Sequence, residues 1–528
     1  MKRLFYLLFL TSTGLQAQDL SAPANLRLTG TRSWIRADWE DKTSNETGYH
    51  LYWSDNNHKP ATPNATLPAN STRFYIQQVK GNTRYHVWVE AFDARQHSKT
   101  LTGTVLTNTR WSLDSAEARR LDIASSPAVP EGMALFWHDE FNDSLLDRNK
   151  WHTTYYSNID FLKKDNLEAM RNGTLPEAAY TLNGRTINIF TNDSLPVKVY
   201  YPSSGRKISS IQTYDWRTNE NLLDNSRGGY FEVRVKRSFT GKPQGLNTAF
   251  WFDSPGPDLK YYLQEGTTLD GVSGVRPKGQ VFEIDVFENI DAQFVLHGHV
   301  DEKGQFVHNL NTHIAKGFEH KDQWVTHGIL WTPNSIKHYI NGQLIKAYTD
   351  KHQIYSPNHA MNVFLGSYGG GGSVSMEVDY IRGYQWPLEG NNELPNPGFD
   401  ANTSLLPWEG NGTLATGRNG SHGLLLKPGQ EMEQYVYLNN DANYQLTYWQ
   451  QGDSPLHAAV ANMKLVTGEL QQAAAQTQSG KNNFTRQQLY FQTGKEYGRN
   501  MKTVRIYFKN TGQQDIILDD VTVSKSGK

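Results

Sequence analysis

Cysteine is absent from this sequence of 528 residues. Its absence excludes disulfide scaffolds, thiolate nucleophiles, iron–sulfur clusters and zinc sites that use cysteine ligands. Any chemistry must therefore use carboxylates, histidines, hydroxyl groups or lysines. The fold must be held by packing, with a bound structural ion as the one other possible support.

An excess of charge of one sign is also missing, since 52 Lys and Arg are balanced by 53 Asp and Glu for a formal net charge of -1. A protein that binds nucleic acid normally carries a basic excess, because neutralised phosphates supply much of the affinity. The sequence therefore predicts no nucleic-acid partner.

Long hydrophobic runs are missing as well. The one candidate, Leu4 to Leu10, is too short to cross a bilayer. It follows Lys2 and Arg3 and precedes a small-residue cleavage site at Ala17, which is the pattern of a signal peptide over residues 1–17. We therefore expect a protein that is secreted into the periplasm or the extracellular space and has no membrane partner.

Regular alternation of strands and helices is missing too, which argues against doubly wound and (β/α)₈ folds. Short strand patterns separated by Gly, Asn and Asp turns predict an all-β protein, with Asn183-Gly184 and Asn341-Gly342 as hairpin turns. The only helix expected lies in a polar stretch, Leu113 to Ile123. The predicted boundaries are a first module over 22–108, a linker over 109–131, a large central sandwich over 132–388 and a third module over 392–528.

The two outer modules resemble known β-sandwiches. The first resembles a fibronectin type III module through Trp39, Tyr49 and the segment Thr83 to Val87. The third resembles a jelly-roll carbohydrate-binding module through Asn396 to Asp400 and Leu518 to Val521. That second resemblance implies a possible structural Ca²⁺ with Asp519 among its ligands.

Three acidic residues lie on one apolar strand, within Gln280 to Asn289. Glu283 and Asp285 are two residues apart and so share a face, with Phe282, Ile284 and Val286 facing the other way, toward the core. Glu288 reaches the same face only if a β-bulge inserts one extra residue after Asp285. Carboxylates this close repel one another, so a reaction or a cation must use them. A Ca²⁺ site is the alternative to catalysis.

Paired carboxylates are the machinery of retaining glycosidases. Glu-Ile-Asp-x-x-Glu on a bulged strand resembles the signature of glycoside hydrolase family 16. Further motifs follow the family's order, namely Trp137 to Asn142, Gly229 to Lys236, Ala249 to Trp251, Gly328 to Pro333, Tyr339 to Gly342 and Met376 to Arg382. The resemblance implies a β-jelly roll with Glu283 as nucleophile, Asp285 as assisting acid and Glu288 as general acid/base, and no cofactor for catalysis.

Five further residues are candidates for binding the substrate. Trp251 is either a sugar platform or core, and Trp216 with Arg217 is either a sugar-binding turn or a solvated loop. His297 and His299 share a strand face, as zinc ligands would, but lack a third ligand at a recognisable spacing. We expect them to lie in the cleft or in the core beside the acids.

The substrate expected is a polysaccharide, bound by a monomeric protein. The β-glucanase branch of the family commonly has Trp-Pro-Ala-Phe-Trp before the site, where this chain has Asn247 to Trp251. That departure favours a sulfated red-algal galactan of the carrageenan or furcellaran type, with Arg217, Arg227 and Arg276 as candidate sulfate partners. Laminarin, agarose and porphyran stay open as substrates. A transglycosylase and a non-catalytic polysaccharide-binding protein are alternative functions.

Overall fold

The computed structural model describes residues 20–526, with short internal gaps. The segments it leaves undescribed inside that range are 31–33, 78, 81–82, 108–125, 154, 156–176, 196–206, 216–219, 242–244, 255–266, 270–271, 275–278, 290–292, 302, 304–305, 314–320, 350–355, 402, 466 and 495–500. The predicted signal peptide and the predicted helix at 113–123 both lie outside the described residues.

The first compact unit is a two-sheet β-sandwich. Its strands are β1 Ala24–Gly30, β2 Trp34–Glu40, β3 Gly48–Ser54, β4 Ala65–Pro68, β5 Arg73–Gln77, β6 Arg84–Phe92 and β7 Leu101–Leu106. One sheet has the order β1-β2-β5 and the other β4-β3-β6-β7. Alternate residues of the strands are buried, because period-two side chains fill the space between the sheets.

The central part of the chain forms a larger sandwich. Its strands are β8 Ala134–Asp139, β9 Tyr180–Leu182, β10 Ile187–Thr191, β11 Lys207–Gln212, β12 Tyr214–Asp215, β13 Glu220–Asn221, β14 Gly229–Gly241, β15 Leu246–Asp253, β16 Thr267–Leu269, β17 Val272–Gly274, β18 Val281–Phe287, β19 Phe294–Val300, β20 Phe306–His313, β21 Trp324–Thr332, β22 Ser335–Ile340, β23 Gln343–Tyr348, β24 Asn362–Gly369 and β25 Gly372–Gln385.

Two antiparallel sheets make up this sandwich, while β12-β13 and β16-β17 form separate two-stranded sheets. The larger has the order β23-β22-β21-β14-β25-β10-β9, with β8 also paired to β25, and the smaller has the order β11-β24-β15-β18-β19-β20. Between them lies one apolar core, to which Phe231 and Met376 contribute from the larger sheet and Phe252, Ile284 and Leu365 from the smaller. The smaller sheet thus has one face in the core and one face pointing away from it.

The turn between β22 and β23 shows how local sequence determines strand pairing. Asn341 and Gly342 connect strands paired from Ile340 and Gln343, and both turn residues have positive φ, at 48° and 74°. A two-residue hairpin of this type requires positive φ at both positions, which Asn and Gly tolerate best. The predicted hairpin is confirmed.

The first and last strands of the central sandwich lie side by side. β8 pairs with the end of β25, from Asp139 opposite Ile381 to Ala134 opposite Gln385. Just beyond β8, Glu140 accepts two hydrogen bonds from Arg382, at 2.9 Å from Nε and 2.7 Å from Nη2. Burial alone would raise the pKa of Glu140, but hydrogen bonds from His138 and Arg382 and the Arg382 charge lower it to about 2.

This ion pair predicts a specific loss of stability in acid. Because the folded-state pKa of Glu140 is depressed, its contribution is complete above about pH 4.5 and is lost as the pH falls toward about 2. We expect Glu140→Gln to lower the free energy of unfolding at pH 7 by on the order of 1–2 kcal/mol, with partial exposure taken into account. Urea melts from pH 7 to pH 2 should show this difference closing. A difference that stays constant with pH, or an equal effect from exposed Glu389→Gln, would contradict the assignment.

A third sandwich follows at the C-terminal side. Its strands are β26 Glu409–Gly410, β27 Thr413–Thr416, β28 His422–Leu426, β29 Glu431–Leu438, β30 Asn443–Gln451, β31 Pro455–Met463, β32 Leu470–Ser479, β33 Thr485–Gln492, β34 Lys502–Asn510 and β35 Ile516–Lys525. They form two five-stranded sheets, β26-β29-β34-β31-β32 and β27-β28-β35-β30-β33. The sheets enclose a separate apolar core that includes Trp408, Tyr444 and Phe508.

The predicted all-β class is confirmed. Three sandwiches follow one another along the chain, and the helical residues among those described are limited to one 3₁₀ turn, Arg418–Gly420. In the described part of the chain, no helix has the length and apolar character needed to traverse a bilayer.

Candidate active site

Glu283 and Asp285 lie on β18, an interior strand of the smaller central sheet, and Glu288 directly follows its last residue. Antiparallel neighbours flank it on both sides, with Asp253 of β15 opposite Glu283 and Trp251 of β15 opposite Asp285. Side chains of directly opposite residues share a face, so these four point away from the core together. We call this side of the sheet the acid face.

The bulge required by the sequence pattern is present. Trp251 pairs with Asp285 and its neighbour Phe250 pairs with Phe287, so Val286 is an extra residue without an opposite partner on β15. Val286 and Phe287 both lie in the central core. The alternation therefore shifts by one residue, and Glu288 returns to the acid face. This prediction is confirmed.

A second irregularity places Phe282 differently from the expectation. The sequence pattern assigns it to the core with Ile284, but the pairing of β18 with β19 shifts between Val281 and Glu283. The Phe282 ring lies over Gly298, the residue opposite Glu283, and a Cβ there would come within 2.6 Å of the ring. The phenyl group therefore packs on the acid face, beside the nucleophile candidate.

The acids differ in their exposure. Asp285 is 5% exposed, whereas Glu283 and Glu288 are half-buried and accessible. Beneath them lies Tyr368, whose pKa is raised above its usual range by burial first and then by the charges of Glu288 and Asp285. The phenol is thus neutral near neutral pH, and two accessible carboxylates flank one that is covered.

Glu288 and the residue after it are held from two directions. The Asn247 side chain donates from Nδ2 to Glu288 Oε1 at 2.9 Å, and its Oδ1 accepts the Asn289 backbone N–H at 2.6 Å. Asn289 has a φ of 68°, in the left-handed region. From the core side, Arg237 donates to the Asn289 carbonyl at 3.0 Å. The acid/base candidate therefore has a fixed backbone and an oriented carboxylate.

Arg237 is an unusual residue for its position. It is 1% exposed, its guanidinium lies 4.5 Å from the centre of the Phe287 ring, and it donates to Thr248 Oγ1 at 3.4 Å. Burial lowers its pKa to about 9. A buried cation costs stability unless its contacts serve a purpose. Here they join β14 and β15 to the segment that follows the bulge.

Trp251 lies on the acid face, but it is not an open platform. Its ring is 5% exposed because it stacks on Phe364, with centroids 4.3 Å apart, and contacts the edge of Tyr155. The indole Nε1 donates to the Tyr368 hydroxyl at 3.2 Å. Of the two expectations for Trp251, a sugar platform or core, the structure agrees with core, because Phe364 and Tyr155 pack against its ring. Its role is to support the floor below the acids.

His297 and His299 do not reach the acid face. His297 lies opposite Ile284 and His299 opposite Val281, and both of those partners belong to the core. The histidines are 0% and 5% exposed. Of the two places expected for them, the cleft and the core, they lie in the core because the strand's alternation turns them inward, and they are not placed to bind substrate.

The other substrate-binding candidates fall elsewhere. Trp216, Arg217 and Arg276 lie outside the described residues. Arg227 donates to the Trp386 carbonyl at 2.8 Å and to Gln385 Oε1 at 3.4 Å, at a cavity that the C-terminal sandwich also lines. It does not contribute a cation to the acid face.

Two calcium sites were expected, one at Asp519 and one at the three acids. Asp519 accepts hydrogen bonds from the backbone N–H of Arg418 and of Asp520 and from the Ser421 hydroxyl. Both its oxygens thus accept hydrogen bonds, and a structural Ca²⁺ with Asp519 among its ligands stays a prediction. Within the described residues, the three acids of β18 do not bring their oxygens together as a metal-binding group.

Sequence reasoning missed four residues of the site: Asn247, Tyr368, Asp253 and Arg237. Asn247 and Asp253 could have been found, since they lie four before and two after Trp251 and so share its face. Tyr368 lies on β24, 83 positions after Asp285 in the sequence, and only the pairing of β24 with β15 brings it under the acids.

Comparison with known proteins identifies two domains. The model of the family "Fibronectin type III domain" matches residues 21–104, and that of "Glycosyl hydrolases family 16" matches residues 277–382. Two curated relatives are the glucan endo-1,3-beta-glucosidase A1 of Niallia circulans and a beta-glucanase of Acetivibrio thermocellus. The first is 26% identical over 49% of this chain and the second 23% identical over 39%. The matches span 39% and 58% of those relatives' own lengths.

Solved structures with similar folds include two glycosidases. A GlcNAcα1-4Gal-releasing endo-β-galactosidase from Clostridium perfringens has a TM-score of 0.37 and 20% identity, covering 61% of this chain and 72% of that one. The laminarinase catalytic domain from Thermotoga maritima has a TM-score of 0.33 and 16% identity, covering 49% of this chain and 100% of that one. With both family models matched, the chain contains a fibronectin type III domain followed by a domain of glycosyl hydrolase family 16.

Proposed function

We propose that this protein is a secreted, endo-acting glycoside hydrolase that cleaves a polysaccharide with retention of configuration. The observation that carries the proposal is the set of three carboxylates on the acid face, where the bulge at Val286 brings Glu288 onto the side of Glu283 and Asp285. The match of residues 277–382 to glycosyl hydrolase family 16 supports it independently. Secretion is part of the proposal because residues 1–17 have the pattern of a signal peptide.

The proposed reaction has two displacements. Glu283 attacks the anomeric carbon, the bond from that carbon to the leaving oxygen breaks, and Glu288 donates its proton to that oxygen. Glu288 then accepts a proton from water, whose oxygen attacks the anomeric carbon and releases Glu283 as a carboxylate. Two inversions give net retention. Asp285 is covered and lies between the other two acids. It orients Glu283 and controls the charge on the Glu283 carboxylate during the two displacements.

A sulfated galactan of the carrageenan or furcellaran type is the substrate we propose, cleaved at β-1,4 bonds. Its support is Asn247, a residue that holds Glu288 at a position where the β-glucanase branch commonly has tryptophan. The case from cations is weaker than the sequence suggested, because Arg227 lies at a different surface. A β-1,3-glucan is the second candidate, and it is favoured by the name of the Niallia circulans relative.

A substrate panel separates these candidates. Purified protein is incubated with carrageenans, furcellaran, agarose, porphyran and laminarin, and new reducing ends and product sizes are followed beside the Glu283→Gln variant. New ends on a sulfated galactan alone support the proposal. Cleavage of laminarin alone contradicts the proposed substrate but supports the proposed reaction. Binding without new ends indicates a polysaccharide receptor, and products larger than the substrate indicate a transglycosylase.

The contact between Asn247 and Glu288 predicts a positioning role. We expect Asn247→Ala to reduce kcat by roughly tenfold, since a hydrogen bond to a charged group contributes about 1.5–3 kcal/mol and only part of it concerns the transition state. KM should change little. The loss should be smaller for an aryl glycoside whose leaving group needs no proton.

The same substitution at Asn188 is a suitable control, because that residue lies on the solvent side of β10. A purely structural effect of Asn247→Ala would reduce activity equally for good and poor leaving groups. That result would contradict the positioning role.

A further inference from the structure

Two histidines and a glutamate converge in the fibronectin type III domain, far along the chain from the acids of β18. His50 of β3 lies directly opposite Glu90 of β6. His97 comes from the loop after β6, which is fixed by a bridge between Phe92 and His97. Three residues from two strands and a loop thus meet at one point.

The ligand atoms are at distances suited to a single ion. His97 Nδ1 is 3.3 Å and His50 Nδ1 is 4.0 Å from Glu90 Oε1, and one ligand atom from each residue lies within 4.8 Å of the others. A tetrahedral zinc with bonds of about 2.0–2.1 Å places its ligands about 3.4 Å apart. Side-chain movements of about 1 Å would complete that arrangement. Among the described residues, this is the group of His, Asp and Glu side chains that could hold a metal.

One of these atoms has no other function in the fold. The His50 side chain is 17% exposed. Its Nδ1 atom is buried and makes no hydrogen bond to any described residue. Stacking on Phe92, with centroids 4.1 Å apart and planes at 15°, holds the plane of this ring. A buried nitrogen without a partner costs free energy that a bound cation would recover.

The carboxylate is already oriented for a ligand role. Tyr52 donates to Glu90 Oε1 at 2.7 Å, while Lys59 at 2.6 Å and Thr100 at 2.9 Å bind Oε2. Such outer contacts fix a carboxylate ligand and are typical of metal sites. Lys59 neutralises the glutamate from the far oxygen, so Oε1 remains for an ion that both imidazoles face.

The kind of ligand and the access to solvent also suit a transition metal. A neutral imidazole is the form that coordinates zinc. His97, with its side chain 53% exposed, lies on the solvent side, where water can supply a fourth ligand.

We propose that His50, Glu90 and His97 form a site for a divalent transition-metal ion of the zinc type. Two imidazoles and one carboxylate prefer Zn²⁺, Co²⁺ or Cu²⁺ to Ca²⁺ or Mg²⁺. The ion would join β3, β6 and the loop before β7, and it has no part in the glycosidase chemistry proposed for β18. Its effect would therefore be on the stability of the first domain.

The test uses the full chain, treated with a chelator and then titrated with Zn²⁺ by calorimetry and with Co²⁺ by visible absorption. We expect one equivalent of Zn²⁺ to bind and ligand-field bands to appear with Co²⁺. His97→Ala should weaken the binding of this one equivalent of Zn²⁺ by at least about tenfold. Even the loss of an outer-shell contact lowers metal affinity by about 10–100-fold. The exposed side chain of His97 makes this the variant least disruptive to folding. His50→Phe keeps the stacked ring on Phe92 and should abolish the same equivalent.

His58→Ala is the matched control, because His58 is exposed on the same domain and should leave the titration unchanged. Equal Zn²⁺ affinity and stoichiometry in the wild type and in His97→Ala would overturn the proposal. So would the absence of Co²⁺ bands in the wild type. A simple ion pair between His97 and Glu90 would give either of those results, together with a stability that depends on pH and not on metal.

Discussion

Glu283→Gln is expected to abolish turnover of the accepted polysaccharide, by about 10⁴-fold or more, while binding persists. The amide keeps the shape of the side chain on β18 but cannot attack the anomeric carbon, so the covalent intermediate does not form. Folding should be unaffected, since Glu283 is half-buried and its neighbours on β15 and β19 stay paired. Initial rates of reducing-end release and affinity electrophoresis in the polysaccharide measure the two quantities.

The control for this experiment is Glu377→Gln, which removes a carboxylate on β25 that binds Lys236 at 2.5 Å and lies away from the acid face. That variant should turn over normally. The anomeric configuration of the first product gives an independent check, because two displacements through Glu283 require retention. Activity near the wild-type level in Glu283→Gln, or an inverted first product, would contradict the assignment.

Removal of Glu288 is expected to have the second-largest effect. Glu288→Ala should reduce turnover of the polysaccharide by about 10²–10⁴-fold, the usual contribution of a positioned general acid/base. The loss should be small in the first step for an aryl glycoside with a good leaving group, since the departing phenolate needs no proton. The glycosyl-enzyme should then accumulate, because no base activates water.

Azide tests the geometry of this variant. With the carboxylate gone, azide can enter on the Glu288 side and attack the glycosyl-enzyme without a base, so it should restore turnover and give a glycosyl azide with retained configuration. In Glu283→Ala, azide would instead replace the nucleophile and give the opposite anomer. The same anomer from both variants would show that the two carboxylates do not lie on opposite sides of the anomeric carbon.

The sequence was sufficient for the acids because their pattern has a single physical solution. Glu283 and Asp285 share a face by alternation, and Glu288 can join them only through a bulge, which the pairing of β15 with β18 confirms at Val286. The sequence was equally sufficient for the turn at Asn341 and Gly342, because both residues tolerate the positive φ that the turn requires. In these cases, neighbouring residues alone determine the backbone.

The sequence was insufficient where either of the two alternating sets of residues on a strand could face the core. On β19, Val295, His297 and His299 alternate with Leu296, Gly298 and Val300, and both sets contain apolar residues. Nothing local decides which set faces the core, and the structure places Val295 and the two histidines there. Pairing with β18 supplies the missing information.

Burial of aromatic rings was also unpredictable from local pattern. Alternation correctly places Trp251 on the acid face, but Phe364, 113 residues later, covers its ring. Arg237 is a related case, since a charge on β14 suggests solvent, and its burial depends on Phe287 and the Asn289 carbonyl. Such contacts join distant segments and become visible only in three dimensions.

The pairing of β8 with β25 has a consequence for how this domain combines with others. Ala134 and Gln385 are partners in adjacent strands, so the chain enters and leaves the central sandwich at one point. Chain ends that lie side by side in this way are typical of domains that tolerate insertion into a foreign loop. Linking residues 134 and 385 through a short turn and opening the chain elsewhere should likewise give a circular permutant that folds. The acids, borne on an interior strand, would travel intact through any of these rearrangements.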